Sequence, residues 1–139
     1  MFTLVLLFAL CAFTCQRNQN EKLMIDSLDK AIISFVDLEI ESPIHIDCDS
    51  LRSYFGSEVL TLPIDDRPFL DSLATIISNL RPSNKGFTPD VRMVVEMHYS
   101  NGGKRVLCMS DIALAFDGKE MEFEPSLLSL LESRTNNTK

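Results

Sequence analysis

Two turn dipeptides, Asn101-Gly102 and Asp117-Gly118, constrain the fold of this chain more than any other feature. Each lies between short runs in which apolar and polar residues alternate. Such pairs are favoured where a tight hairpin needs two residues at positive φ. A two-residue turn at Asn101-Gly102 sets Val95 against Cys108 and Met97 against Val106 on one face. The other face then receives His98 against Arg105 and Glu96 against Leu107. A turn at Asp117-Gly118 sets Leu114 against Met121 and Ile112 against Phe123, with Ala113 against Glu122 and Ala115 against Glu120 behind them. Both hairpins read this way have one apolar face and one mixed or polar face, which predicts a sheet covered on one side only.

Upstream, Ala31 to Leu38 is rich in β-branched and aromatic residues, and Val36, Leu38 and Ile40 alternate with Asp37, Glu39 and Glu41. That is a half-buried strand pattern. Pro43 interrupts it, and Ile44 to Asp47 resumes an extended pattern. The stretch DSLRSYFG reads as a short helix with Asp47 or Asp49 as N-cap and Gly56 at its C-cap. Val59 to Leu62 reads as a short strand. The strongest helix covers Arg67 to Leu80, where Phe69, Leu73, Ile76, Ile77 and Leu80 fall on one face of a 3.6-residue period. Asp65 or Asp66 can cap its start, and Pro82 stops it. Pro125 opens a last helix, SLLSLLES, whose Leu127, Leu130 and Leu131 share a face, before a frayed polar tail from Arg134 to Lys139. The expected fold class is therefore α+β: an antiparallel sheet with two consecutive C-terminal hairpins and helices packed on one face.

The N-terminus carries a different message. Met1 to Gln16 has no charged side chain, and its densest apolar stretch, Leu4 to Phe13, has the length of an export-signal core. A transmembrane helix needs about 20 apolar residues, so the run is short for a span. The polar stretch from Gln16 to Lys22 that follows argues against a buried core helix. The positive charge that normally precedes a signal's apolar run is missing. The reading is a signal peptide over 1–14, a tether over 15–30, a single domain over 31–133 and a tail over 134–139.

The stretch Ala12-Phe13-Thr14-Cys15 resembles a relaxed lipobox, the processing site of bacterial lipoproteins. It departs from the usual pattern at Ala12, where Leu is common, and at Thr14, where Gly, Ala or Ser is common. Cys11 fits less well, because bulky Leu10 precedes it within the apolar run. Signal, cysteine, tether and compact α+β domain with an Asn-Gly hairpin together resemble the small uncharacterised lipoproteins of the bacterial cell envelope. The resemblance implies lipidation of Cys15 and attachment to a membrane on the periplasmic or outer-membrane side. The seven residues from Gln16 to Lys22 then span at most ~23 Å when extended. Simple secretion, with Cys11 and Cys15 in a discarded peptide, is the alternative.

A net charge of −7 argues against nucleic acid as a partner and against adhesion to anionic lipid. Of the two histidines, His45 alternates with Asp47 and Asp49, which would line one strand face and offer a hard-metal site of imidazole and carboxylates; the plainer reading is a solvated edge. His98 falls on the mixed face, and no Ser or Cys is spaced to act as its nucleophile. No phosphate loop, G-x-S-x-G or paired C-x-x-C occurs. No catalytic residue and no cofactor is therefore assigned. An export address permits a disulfide between Cys48 and Cys108; otherwise the two pack as small buried thiols. The expected role is a non-catalytic module that holds a protein or glycan through an open sheet face or an exposed edge. An acidic inhibitor or immunity-type protein is the alternative, and an enzyme is disfavoured.

Overall fold

The computed structural model of the chain describes residues 27–136. The expected signal peptide over 1–14, Cys15 and the tether as far as residue 26 lie outside the described residues. Strand β1 (Leu28–Phe35) begins ahead of the domain start expected at Ala31. Its core face is Leu28, Ala31, Ile33 and Phe35. Strict alternation would turn Leu28 outward. A bulge between Leu28 and Lys30 absorbs one residue and returns Leu28 to the core.

The remaining strands are β2 (Leu60–Ile64), β3 (Met93–Tyr99), β4 (Lys104–Met109), β5 (Leu114–Phe116) and β6 (Lys119–Met121). They form one six-stranded sheet in the order β2-β1-β3-β4-β5-β6, with every neighbouring pair antiparallel. Helices α1 (Leu51–Phe55), α2 (Arg67–Ser78) and α3 (Pro125–Thr135) complete an α+β fold. The expected strands over 36–41 and 44–47 do not form. That segment is irregular until a 3-10 turn at Cys48–Ser50.

The β3–β4 register differs by one residue from the expected one. The Tyr99 carbonyl accepts from Gly102 N–H at 2.9 Å, and Tyr99 N–H donates to the Gly103 carbonyl at 2.9 Å. The loop therefore holds Ser100, Asn101 and Gly102, with Gly102 at φ 82. This is the three-residue alternative, in which a left-handed glycine closes the turn. Val95 consequently meets Leu107 and Met97 meets Arg105, while Val94 meets Cys108 and Glu96 meets Val106. Because side chains alternate with period two, Cys108 and Val106 move to the opposite face from the one expected. At Asp117-Gly118 both residues have positive φ, 48 and 74, and the register sets Leu114 against Met121 and Ala115 against Glu120.

Both faces of the sheet are covered. Phe69, Leu70, Leu73 and Ile77 of α2 and Leu127 and Leu131 of α3 pack with the inner residues of β1, β3, β4 and β5. Asp66 caps α2 by accepting from Phe69 N–H at 3.0 Å, and Arg134 of α3 donates to the same carboxylate at 2.6 Å. Arg134 and buried Thr135 thus belong to the packed helix, where a frayed tail was expected. On the second face, Leu51 and Phe55 of α1 pack with Val36, Ile46, Val59, Val91 and Cys108. Helices on one face alone were expected, but α1 joins the irregular segment in a second layer. Neither Asp47 nor Asp49 caps α1, which begins after Ser50.

Each sheet edge is distinctive. Along β6, Ser83 N–H donates to the Glu120 carbonyl at 3.0 Å and Glu122 N–H donates to the Arg81 carbonyl at 2.8 Å. The opposite edge strand, β2, contains Pro63.

The register carries a testable consequence. Val95 is fully buried on the first face, whereas Val106 is only half-buried on the second. Val95→Asp should cost on the order of 4 kcal/mol, and Val106→Asp about 1 kcal/mol. Urea melts giving equal losses would contradict the pairing described.

Candidate functional site

The region that stands out is built around a buried cation that neither the turn signals nor the apolar periodicity points to. Arg92 immediately precedes β3 and is 5% exposed. All five guanidinium N–H groups have partners. Nε donates to the Ile40 carbonyl at 2.9 Å; Nη1 donates to Asp90 Oδ1 and to the Val91 carbonyl, both at 3.0 Å. Nη2 donates to Asp90 Oδ2 at 2.8 Å and to Ser42 Oγ at 3.0 Å. The guanidinium also lies 5.4 Å from the centroid of the Phe55 ring. Such a planar fork suits a bidentate carboxylate and leaves no donor for a ligand.

Asp90 completes the staple. Its Oδ1 accepts from Ile46 N–H at 2.8 Å, and Val91 N–H donates to the Ile46 carbonyl at 2.8 Å. The irregular segment from Val36 to Ile46 is therefore fastened to the rim of the sheet by Arg92 and Asp90. The Val36 N–H, the Ile40 carbonyl and both backbone groups of Ile46 bond there instead of in a ladder. Burial acts to raise the Asp90 pKa, but the hydrogen bonds from Arg92 and Ile46 and the charges of Arg92 and His45 outweigh it and hold the carboxyl below its ordinary value. A depressed carboxylate stabilises the fold above its unfolded pKa of about 3.9. That stabilisation is lost as pH falls through the folded value. In melts from neutral to acid pH, the deficit of Asp90→Asn against the parent chain should shrink below about pH 4. A deficit that stays constant on acidification would remove Asp90 from the acid limb.

Above this floor opens a cleft of about 520 Å³. One wall is Leu38 to Ser42; the others are Phe87 to Asp90 and Ser110 to Ala113. The packing of Ile40 into the second layer, with its carbonyl held by Arg92, leaves Glu39 and Glu41 exposed on either side of it. Across the cleft, Ser110 Oγ accepts from Ile112 N–H at 3.3 Å and from Ala113 N–H at 3.2 Å. This is a hydroxyl-closed turn. It places Ile112 at a loop tip, 73% exposed, where a core position opposite Phe123 was expected. Phe87 is 66% exposed, and Thr88 beside it donates to Glu120 Oε1 at 2.9 Å.

The residues singled out from sequence fall elsewhere. His45 Nε2 lies 3.6 Å from Asp47 Oδ1, but the strand that would have aligned them with Asp49 is absent. Among the described residues no group of three or more His, Cys, Asp or Glu is placed to hold a metal ion. His98 lies opposite Lys104 on the second face, with its Nε2 3.8 Å from Glu96 Oε2. Arg105, expected beside it, sits on the other face and donates to Asp117 at 2.6 Å. Cys48 and Cys108 are joined by a disulfide with Cα atoms 5.7 Å apart. The link was open in the sequence, and the one-residue change of register is what turns Cys108 toward Cys48.

Arg92 escaped detection because a buried arginine and an exposed one read alike in an alternating pattern. The faint signal was a charged residue between Val91 and Met93 at the head of a strand. The chain matches no family model, no curated protein and no solved structure.

Proposed function

We propose that this chain is an exported, lipid-anchored envelope protein whose folded domain is a non-catalytic interaction module, and that it engages its partner through the cleft above Arg92. The observation that carries this reading is the pair Phe87 and Ile112, two large apolar side chains held out to solvent beside the cleft of about 520 Å³. Exposed apolar side chains that share a concave rim are the usual mark of an interaction surface. The sheet face opposite α2 and α3 is partly occupied by α1 and the irregular segment. Export is supported by the disulfide, which belongs to an oxidising compartment. Anchoring rests on the lipobox-like Cys15.

Two measurements test the proposal. In a bacterial host fed labelled fatty acid, the full chain should acquire label and sediment with membranes, and Cys15→Ala should do neither. An intact mass that retains residues 1–14 would sink the anchored form. A photo-crosslinking side chain at Phe87 should give a discrete adduct in the same cells, whereas one at Ser72 on the outer face of α2 should not. Equal patterns at both positions would remove the cleft as the binding surface.

A further inference from the structure

The charge around the cleft points further, to the chemistry of the occupant. Among the described residues Arg92 is the one cation lining it, and its donors are all spent on Asp90, Ser42 and backbone carbonyls. An anionic ligand would find no free positive group there among the described residues. Glu39, Glu41 and Asp111 also line the cleft, all exposed, and among the described residues no cation pairs with them. Among the described lining residues the carboxylates of Glu39, Glu41, Asp90 and Asp111 outnumber the single guanidinium. Three spaced carboxylates on one rim are complementary in charge to spaced cationic side chains.

The apolar half of the surface is continuous with the charged half. Phe87, Ile112 and Ala113 line both this cleft and an adjoining hollow of about 420 Å³, which Met121 and Phe123 help to form. Phe87 and Ile112 are thus a ridge between two depressions. In the second hollow Lys85 and Glu122 offset one another. Burying an apolar ridge supplies affinity, while rim charges set encounter rate, salt dependence and choice of partner.

The cleft is also placed to be reached. Leu28, where the chain enters the sheet, pairs with Tyr99 at one end of β3. Arg92 precedes Met93 at the other end, about 20 Å away along the strand. The cleft therefore lies at the opposite end of the strand from Leu28.

We infer that the cleft receives a polypeptide segment presenting arginine or lysine beside a bulky apolar side chain; this rests on the interaction-module reading and specifies its partner. The cationic groups meet Glu39, Glu41 and Asp111, and the apolar group packs on Phe87 and Ile112.

The test titrates the full chain in neutral detergent micelles against three fluorescent peptides, read by anisotropy. One alternates arginine with leucine, one glutamate with leucine, and one arginine with serine. The arginine–leucine peptide should bind, the other two at least about tenfold more weakly. Glu39→Lys with Glu41→Lys, and separately Phe87→Ser with Ile112→Ser, should each weaken it by about tenfold or more. Asp29→Lys with Asp65→Lys, the same charge change at the opposite end of the sheet, should alter it by less than about twofold. Equal binding of the glutamate–leucine peptide, equal weakening by the remote pair, or no binding at all overturns the inference. Self-association lost in Phe87→Ser with Ile112→Ser, read by sedimentation, makes a second copy the occupant and also overturns it. In either case crosslinking at Phe87 still decides whether the cleft is an interaction surface.

Discussion

Removing the Cys48–Cys108 disulfide should destabilise the domain by about 4 kcal/mol, which for a chain of this size is a fall in melting temperature on the order of 20 °C. The bond spans 60 residues of sequence, so it removes much chain freedom from the unfolded state. It also fastens the 3-10 turn ahead of α1 to β4, in the middle of the second layer. Without it, that layer is held by the packing of Leu51, Phe55 and Ile46 and by the Arg92 staple. The double variant Cys48→Ala with Cys108→Ala should melt low with or without reductant. The parent chain should fall to the same temperature only when reductant is present. A parent chain indifferent to reductant would mean that the two thiols are unpaired in solution.

Arg92→Met should cost about 3–5 kcal/mol. It leaves Asp90 without its counter-charge and the Ile40 carbonyl and Ser42 hydroxyl without their donor. Arg92→Lys should recover less than half of that, since a point charge cannot replace a planar fork that meets five acceptors at once. Because Asp90 is partly exposed, most of the loss should come from unmade hydrogen bonds, with the charge term reduced by solvent screening. A cycle with Asp90→Asn measures the shared part. Additive losses in urea denaturation, or a lysine variant as stable as the parent, would show that the fork geometry is not what holds the irregular segment.

What could be read in advance follows from how local each signal is. The helix at Arg67–Ser78 was legible because its apolar spacing, an Asp66 cap and a proline stop all agree within one short stretch. The Asp117-Gly118 pairing was legible because a single turn type fits it. At Ser100 to Gly103 two consecutive glycines permit both a two- and a three-residue loop, and the choice turns over all of β4. Alternation alone also misled over residues 36–47. There Ile40 and Ile46 point inward because the second layer holds them, and their backbone bonds run to Arg92 and Asp90. The site was the least legible part. Burial of Arg92 depends on Ile40 and Ser42, about fifty residues away, which no period records, and Ile112 is exposed by a turn on the Ser110 hydroxyl that interrupts the strand pattern.

The two sheet edges bear on how many copies of this domain can be crowded together. An open strand edge is a template on which neighbours of the same sequence can line up, and crowding at a surface raises that danger. Here the outer rim of Lys119–Met121 is already bonded to Arg81 and Ser83. At the other rim, Pro63 removes a donor from a strand of only five residues. A strand from another molecule would find one place taken and the other lacking a rung. Edge-to-edge stacking of copies is therefore disfavoured at both rims of the described sheet.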